Sequence, residues 1–258
     1  MNPTPFGWSS AYPPFILLAV LVSFFVTMTN ARRERVSATR LAAIQLVLTA
    51  TGLAGAAFYN MVETGTLADF DWRTPFSAGL RYPGGVIAVL LVVPVIRGML
   101  PAGTSLAGAL DLMSPGAAFG MATVRGGCFL MGCCYGRPSR MPWALSYPPQ
   151  SQVARHHAMD AWIAPGEWSL PVHPLHLYFA LASLIVGVVL LRRLPRRRYP
   201  GEIFLLYLAL HEAAKGALEF LRGAPGGQST AHLQAVSLTL SAIATAALLA
   251  RRRAALPR

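Results

Sequence analysis

Seven stretches of this chain, near residues 12–30, 41–60, 79–97, 106–124, 175–192, 202–221 and 231–250, are apolar and close to the length a membrane requires. A hydrocarbon core of about 30 Å takes about 20 helical residues to cross. In lipid every backbone N–H and C=O must be satisfied internally, so segments of this kind read as helices. Composition agrees. Hydrophobic residues make up 54% of the 258 positions and charged residues only 12%, against the roughly 25% usual in a soluble domain. The expected fold is an all-α integral membrane protein of about seven transmembrane helices, a single polytopic domain over residues 1–258. Such apolar content excludes disorder, and three cysteines are too few for a disulfide scaffold.

The net charge of +12 raises the alternative of a nucleic-acid partner. Its location argues against that. Every cation except Lys215 is Arg, and the Arg fall in short clusters between apolar runs. Arg32, Arg33, Arg35 and Arg40 follow the first stretch, Arg97 the third, and Arg192, Arg193, Arg196, Arg197 and Arg198 the fifth, while Arg251, Arg252, Arg253 and Arg258 close the sequence. With seven spans all of these lie on one side, which the positive-inside rule assigns to the cytoplasm. The N-terminus is then outside and the C-terminus cytoplasmic. Glu63, Asp69, Asp71, Asp160 and Glu167 fall in the opposite loops. The segment MNPTPFGWSSAYPP has no cationic region and no small-residue cleavage site follows the first stretch, so that stretch is expected to be a retained span. An external loop near 125–174, rich in Arg, His, Trp and Pro, is the longest connection.

Ionisable groups inside spans cost at least about 2.5 to 3.5 kcal/mol each and mark functional positions. In the sixth span His211, Lys215, Glu219 and Arg222 recur at offsets that place them within an arc of roughly 80°. The stripe is either a structural ladder, with Lys215 reaching Glu219 or Glu212, or the wall of a wet, anion-binding or catalytic cavity. The fourth span ends in RGGCFLMGCCYGRP, where Gly126, Gly127, Gly132 and Gly136 permit turns, and Arg125 and Arg137 bracket them. Two guanidinium groups there suit a phosphate, unless Arg125 simply snorkels to the interface. Cys128, Cys133 and Cys134 share the turn and admit four readings: buried packing, a disulfide from Cys128, a thiolate activated by the two Arg, or zinc completed by His156, His157 or His173. At the start of the third span, Pro83, Gly84 and Gly85 follow Arg81 and Tyr82.

Taken in order, these pieces resemble the prolipoprotein diacylglyceryl transferase family of bacterial inner-membrane enzymes. RYPGGVIA is similar to the family's HGG segment, and DLMSPGAAFGMATVRGGCFLMGCCYGRP to its signature ending in RxGNFxNxExxGRP. PWALSYP follows, PVHPLHLY resembles RHPSQLYE, and HEAAKGALEFLRGAP resembles YGxxRFxxEFxR. The likeness runs from about residue 52 to 245.

The resemblance implies transfer of a diacylglyceryl group from a phosphatidylglycerol-like glycerophospholipid to a thiol, such as the cysteine of a secreted lipoprotein precursor, on the outer side of the membrane. Arg125, Glu219, Cys133 and His211 are then the expected catalytic positions. Arg222, Lys215, Arg137, Gly84, Gly85, Gly136, His173 and Tyr178 are the expected substrate-binding ones. Neither a cofactor nor a resident metal is expected, and the partners are lipid and the acceptor thiol, without nucleic acid. Departures from the family pattern fall on the chemistry: Pro83 stands for its His, Cys128 for an Asn, Cys133 for a Glu, His211 for a Tyr, Lys215 for an Arg and Phe179 for a Glu. They leave open a diverged relative with a cysteine-based covalent mechanism or another acceptor, and a non-catalytic thiol redox or metal-binding protein.

Overall fold

The computed structural model describes residues 12–67, 80–223 and 231–254. Asp69, Asp71, Arg258 and most of the leading segment lie outside the described residues. Among those described, the order is α1 (Tyr12–Arg33), α2 (Ala38–Thr64), α3 (Tyr82–Met99), α4 (Leu106–Met131), α5 (Gln152–Met159), α6 (Leu175–Arg193), α7 (Glu202–Glu219) and α8 (Ala231–Ala254), with a 3-10 turn at Leu194–Arg196. No strand is present among them beyond isolated bridges.

Each apolar stretch read from the sequence corresponds to one long helix, and α5 is the short addition inside the long loop. Among the described residues four helices are long and apolar enough to cross a membrane: Pro13–Arg33, Ala38–Thr64, Leu175–Arg196 and Gln234–Ala254. The remaining long helices are the shorter α3 and the two that carry ionisable groups within them, Asp111 and Arg125 in α4 and Glu212, Lys215 and Glu219 in α7. Large apolar side chains point outward from the long helices, among them Leu17, Phe25, Leu91 and Ile243. A soluble surface rarely exposes so much contiguous apolar area, and a lipid-facing one must.

The chain divides into two compact units, one of Thr27–Ala109 and one of Met1–Val26 with Leu110–Arg258. Within the first, α2 and α3 pack face to face through glycine. A Cβ at Gly84 would collide with the Gly55 carbonyl, and one at Gly85 would come within 2.9 Å of the Gly52 carbonyl oxygen. The backbones approach this closely only because no side chain separates them. Arg81 closes one end of this pair, its Nε 3.2 Å from Asn60 Oδ1 and 3.1 Å from Glu63 Oε2.

In the larger unit α4 is buried along Asp111–Gly116 despite Pro115, which sits inside an unbroken helix. The fourth span, expected to end near residue 124, continues as helix to Met131, so Arg125 lies within it. Gly120 and Gly126 let α1 approach, facing Ala19 and Phe15. Asp111, wholly buried, accepts hydrogen bonds from the backbone N–H of Gly201 at 2.7 Å and of Phe204 at 2.9 Å. It thereby caps the first turn of α7, whose N–H groups have no partner within their own helix. Buried Glu202 receives the Arg252 guanidinium at 2.7 Å and ties that same end of α7 to α8.

The segment after α4 folds over a small core of Tyr135, Tyr147, Val153 and Val172. The Ser151 side chain accepts from Ala154 N–H at 3.1 Å and starts α5.

Candidate functional site

The chain reverses immediately after α4. Gly132 adopts φ 62° and Cys134 φ 54°, the second a conformation that costs a non-glycine residue roughly 1 kcal/mol or more. Cys133 N–H donates back to the Cys128 carbonyl across the helix end at 3.2 Å. This double reversal gathers three sulfurs that C-x4-CC spacing alone would leave along the chain: the Sγ atoms of Cys128, Cys133 and Cys134 all lie within 4.8 Å of one another. None of the three is bridged; Cys128 is buried, and the other two are half-buried. Thiol donors from Cys128 and Cys133, with Arg125 and Arg222 nearby, hold Cys134 well below the usual thiol range, while contacts with Cys128 and Cys134 together with burial push Cys133 up.

The strip that follows is held on both edges. Gly136 N–H donates to the His173 carbonyl at 3.0 Å, Arg137 N–H to the Leu221 carbonyl at 2.8 Å, and Gly223 N–H to the Tyr135 carbonyl at 3.1 Å. Gly136 is required here, because a Cβ would stand 2.6 Å from His173 Cβ and 2.8 Å from Leu221 O. The glycine predicted to bind substrate is thus the hinge pin that brings the end of α7 and the lead into α6 onto the thiol turn.

From α7 comes the polar stripe. Arg222 holds Glu219 in a two-pronged pair, Nη2 to Oε1 at 2.7 Å and Nε to Oε2, with the carboxylate 2% exposed. Arg222 also lies within electrostatic reach of the Cys134 sulfur. Lys215 pairs with Glu212, three residues back, at 3.5 Å. His211 stacks on Tyr207 with ring centroids 5.2 Å apart and lies within electrostatic reach of Arg125. Arg125 stands over the Phe179 ring at 4.6 Å, and its Nε is buried without a hydrogen-bond partner. The Phe179 face attracts this guanidinium without consuming its donors.

The structure therefore brings Arg125, Cys133, Glu219 and Arg222 to one end of α4 and α7. Other expected site residues are placed differently. Arg137 is exposed and its guanidinium donates to the Phe220 carbonyl at the end of α7, so it secures the fold of the turn. His173 Nδ1 lies 3.3 Å from Tyr178 OH, which in turn accepts from Trp143 Nε1 at 2.5 Å. Gly84 and Gly85 belong to the α2–α3 contact of the other unit.

Each imidazole considered for zinc has its Nδ1 engaged elsewhere. His156 Nδ1 meets Tyr135 OH at 3.1 Å, and His157 Nδ1 accepts from Leu170 N–H at 3.2 Å. Among the described residues the group that could hold a metal is the cysteine trio alone. Sequence reasoning passed over two features beside it. One is Tyr147 with His176, OH to Nε2 at 2.7 Å, both fully buried and packed on Phe129. The other is Asp111, whose signal was available as a lone carboxylate in an apolar span.

A family model for prolipoprotein diacylglyceryl transferase matches residues 9–250. Proteins named phosphatidylglycerol--prolipoprotein diacylglyceryl transferase are similar to this chain. That of Clostridium tetani is 30% identical over 118 residues, 46% of this chain and 42% of its own length. That of Frankia alni is 26% identical over 223 residues, 82% of this chain and 54% of its own. That of Finegoldia magna is 24% identical over 220 residues, 82% and 78%. The chain thus spans about half the length of the first two of these relatives.

Proposed function

The chain belongs to the prolipoprotein diacylglyceryl transferase family, and on that premise we propose that it transfers a diacylglyceryl group from a phosphatidylglycerol-like glycerophospholipid to a thiol, such as the cysteine of a lipoprotein precursor. The observation that carries this reading is the convergence of Arg125, with its buried unpartnered Nε, and the Arg222–Glu219 pair on one thiol turn. Displacement at a glyceryl carbon leaves negative charge on the departing phosphate, and fixed guanidinium groups stabilise it most where water is excluded. Arg222 and Arg125 take the phosphate oxygens, and Lys215 adds charge from the same helix face. Glu219 orients Arg222 and His211 accepts the acceptor's proton.

A covalent route through Cys133 is disfavoured on chemical grounds. Attack by an enzyme sulfur would leave a thioether, whose thiolate departs poorly, so the chain would stop after one turnover. The raised Cys133 thiol argues the same way.

We place the chain in the bacterial inner membrane with seven spans, the N-terminus outside and the thiol turn on the outer side. The support is the Arg asymmetry of the connections. An alkaline phosphatase fused after Arg253 is expected to be inactive; an active fusion reverses the orientation. The activity is tested with vesicles of labelled phosphatidylglycerol and a cysteine peptide of lipobox type. Label should pass to the cysteine peptide and not to its serine counterpart, and no transfer from any glycerophospholipid rejects the reading.

A further inference from the structure

We propose that Cys128, Cys133 and Cys134 form a three-thiolate zinc site whose open fourth position takes the acceptor thiol. The first three ligands rest on geometry alone; the fourth rests on the transfer reading above. With Zn–S near 2.3 Å and tetrahedral angles, sulfurs lie about 3.8 Å apart. The three Sγ atoms already fall within 4.8 Å, so closing on an ion takes movements of about 1 Å or less. Two of the sulfurs sit on a turn held by the left-handed residues Gly132 and Cys134 and the third on the last turn of α4, so the set is built before any ion arrives.

Three features distinguish this trio from buried packing. Its sulfurs point at one another, whereas packing cysteines have no reason to converge. Charge is provided for: three thiolates on a divalent ion leave one net negative charge, and Arg125 and Arg222 lie within electrostatic reach of Cys134. Among the described residues no His, Asp or Glu ligand atom joins the three sulfurs: His156, His157, His173 and His176 each have one nitrogen engaged, by Tyr135, Leu170, Tyr178 and Tyr147, and although His157 Nε2 and His176 Nδ1 are buried without a partner, neither belongs to the cluster. Three protein ligands and a vacant position are the arrangement of catalytic zinc, while structural sites close with four.

The vacant position suits the chemistry. A thiol that binds zinc gives up its proton and becomes the nucleophile. Its sulfur then forms a bond to the glyceryl carbon as the bond from that carbon to the phosphate oxygen breaks. The electron pair leaves with the glycerophosphate, which Arg125 and Arg222 receive, and the thiol proton passes to His211, as in the transfer reading. Nothing is oxidised or reduced. The product is a neutral thioether, a weaker ligand than a thiolate, so it departs and the position reopens.

The test uses the full chain in detergent, purified under reductant, with zinc measured per chain and cobalt(II) as the spectroscopic probe. One zinc per chain is expected, with a near-ultraviolet sulfur-to-cobalt band of three-thiolate intensity and tetrahedral visible bands. Cys128→Ser, Cys133→Ser and Cys134→Ser should each weaken metal binding by about 100-fold or more. A cysteine peptide should shift the visible bands and a serine peptide should not. The wild-type spectrum decides the question even if a variant fails to fold. Substoichiometric metal, a disulfide among the three sulfurs, or metal retained by the triple Ser variant overturns the site. A full metal load with visible bands indifferent to the cysteine peptide overturns the fourth position. A peptide-responsive site that transfers no labelled lipid leaves the zinc inference standing and removes the transfer reading.

Discussion

Arg222 grips Glu219 with two prongs across the end of α7, Nη2 to Oε1 at 2.7 Å, while the carboxylate is almost wholly withdrawn from solvent. A buried carboxylate that loses its partner is far costlier than the pair was worth. Arg222→Ala should therefore lower stability by about 3 kcal/mol and reduce transfer about 100-fold. Arg222→Lys keeps the charge but loses the planar fork, and should recover stability better than activity. Thermal unfolding in detergent and labelled-lipid transfer, read on the same preparations, check both. Equal recovery of the two in the Lys variant would make Arg222 purely structural.

Gly136→Ala sets a methyl group against His173 Cβ and Leu221 O. The expected cost is about 1–3 kcal/mol with loss of transfer, since the strip holding the thiol turn must shift. Gly98 has open space around its Cβ position, and Gly98→Ala should be neutral in both assays.

The thiols should differ in reactivity in metal-stripped, reduced protein. Cys134, held low by Cys128 and Cys133 with Arg125 and Arg222 nearby, should be alkylated by iodoacetamide at nearly the same rate at neutral and alkaline pH. Cys133, pushed up by Cys128, Cys134 and burial, should react only as the pH rises. Peptide mapping by mass spectrometry assigns the labels, and the reverse order would refute this charge distribution.

Acid should loosen the segment over the small core. Burial is the main cause that lowers both His156 and His157, which are neutral when folded. Unfolded histidine titrates near about 6.5, so below that value the unfolded segment binds more protons than the folded one. Stability is thus fully present above pH 6.5 and declines as the pH falls through it. Hydrogen-exchange protection of residues 135–172, taken relative to the intrinsic amide rate at each pH, should fall between pH 7 and pH 5 in the wild type, and less so in His157→Gln. An identical loss in both would clear His157 of the effect.

Asp111→Ala removes the acceptor for two backbone N–H groups at the start of α7. Each buried donor left without a partner costs about 1–3 kcal/mol. Unfolding should come early, with faster hydrogen exchange at Gly201–Leu205 than elsewhere. Uniform exchange along α7 would show that the cap is dispensable.

The positions of the long helices were legible in the sequence because lipid allows few alternatives: an apolar run of sufficient length must satisfy its backbone internally. The stripe was legible in part: a helical period fixes that His211, Lys215 and Glu219 share a face of α7, but α7 ends at Glu219 and Arg222 stands beyond it. Partner choice was not. Lys215 has Glu212 and Glu219 both within its helical reach; it forms an ion pair with Glu212, while Arg222 holds Glu219. Arg125 and Arg137 looked like one phosphate clamp by proximity in the chain, yet the strip beyond Gly136 spends Arg137 on the Phe220 carbonyl. The sulfur cluster depends on two left-handed residues, one of them Cys134, and no pattern of residue types announces that a cysteine will adopt that conformation. Length, polarity and period are properties of one segment and can be read along it. Which groups meet at the end of α4 is set by hydrogen bonds between segments tens of residues apart, and only the assembled tertiary structure contains them.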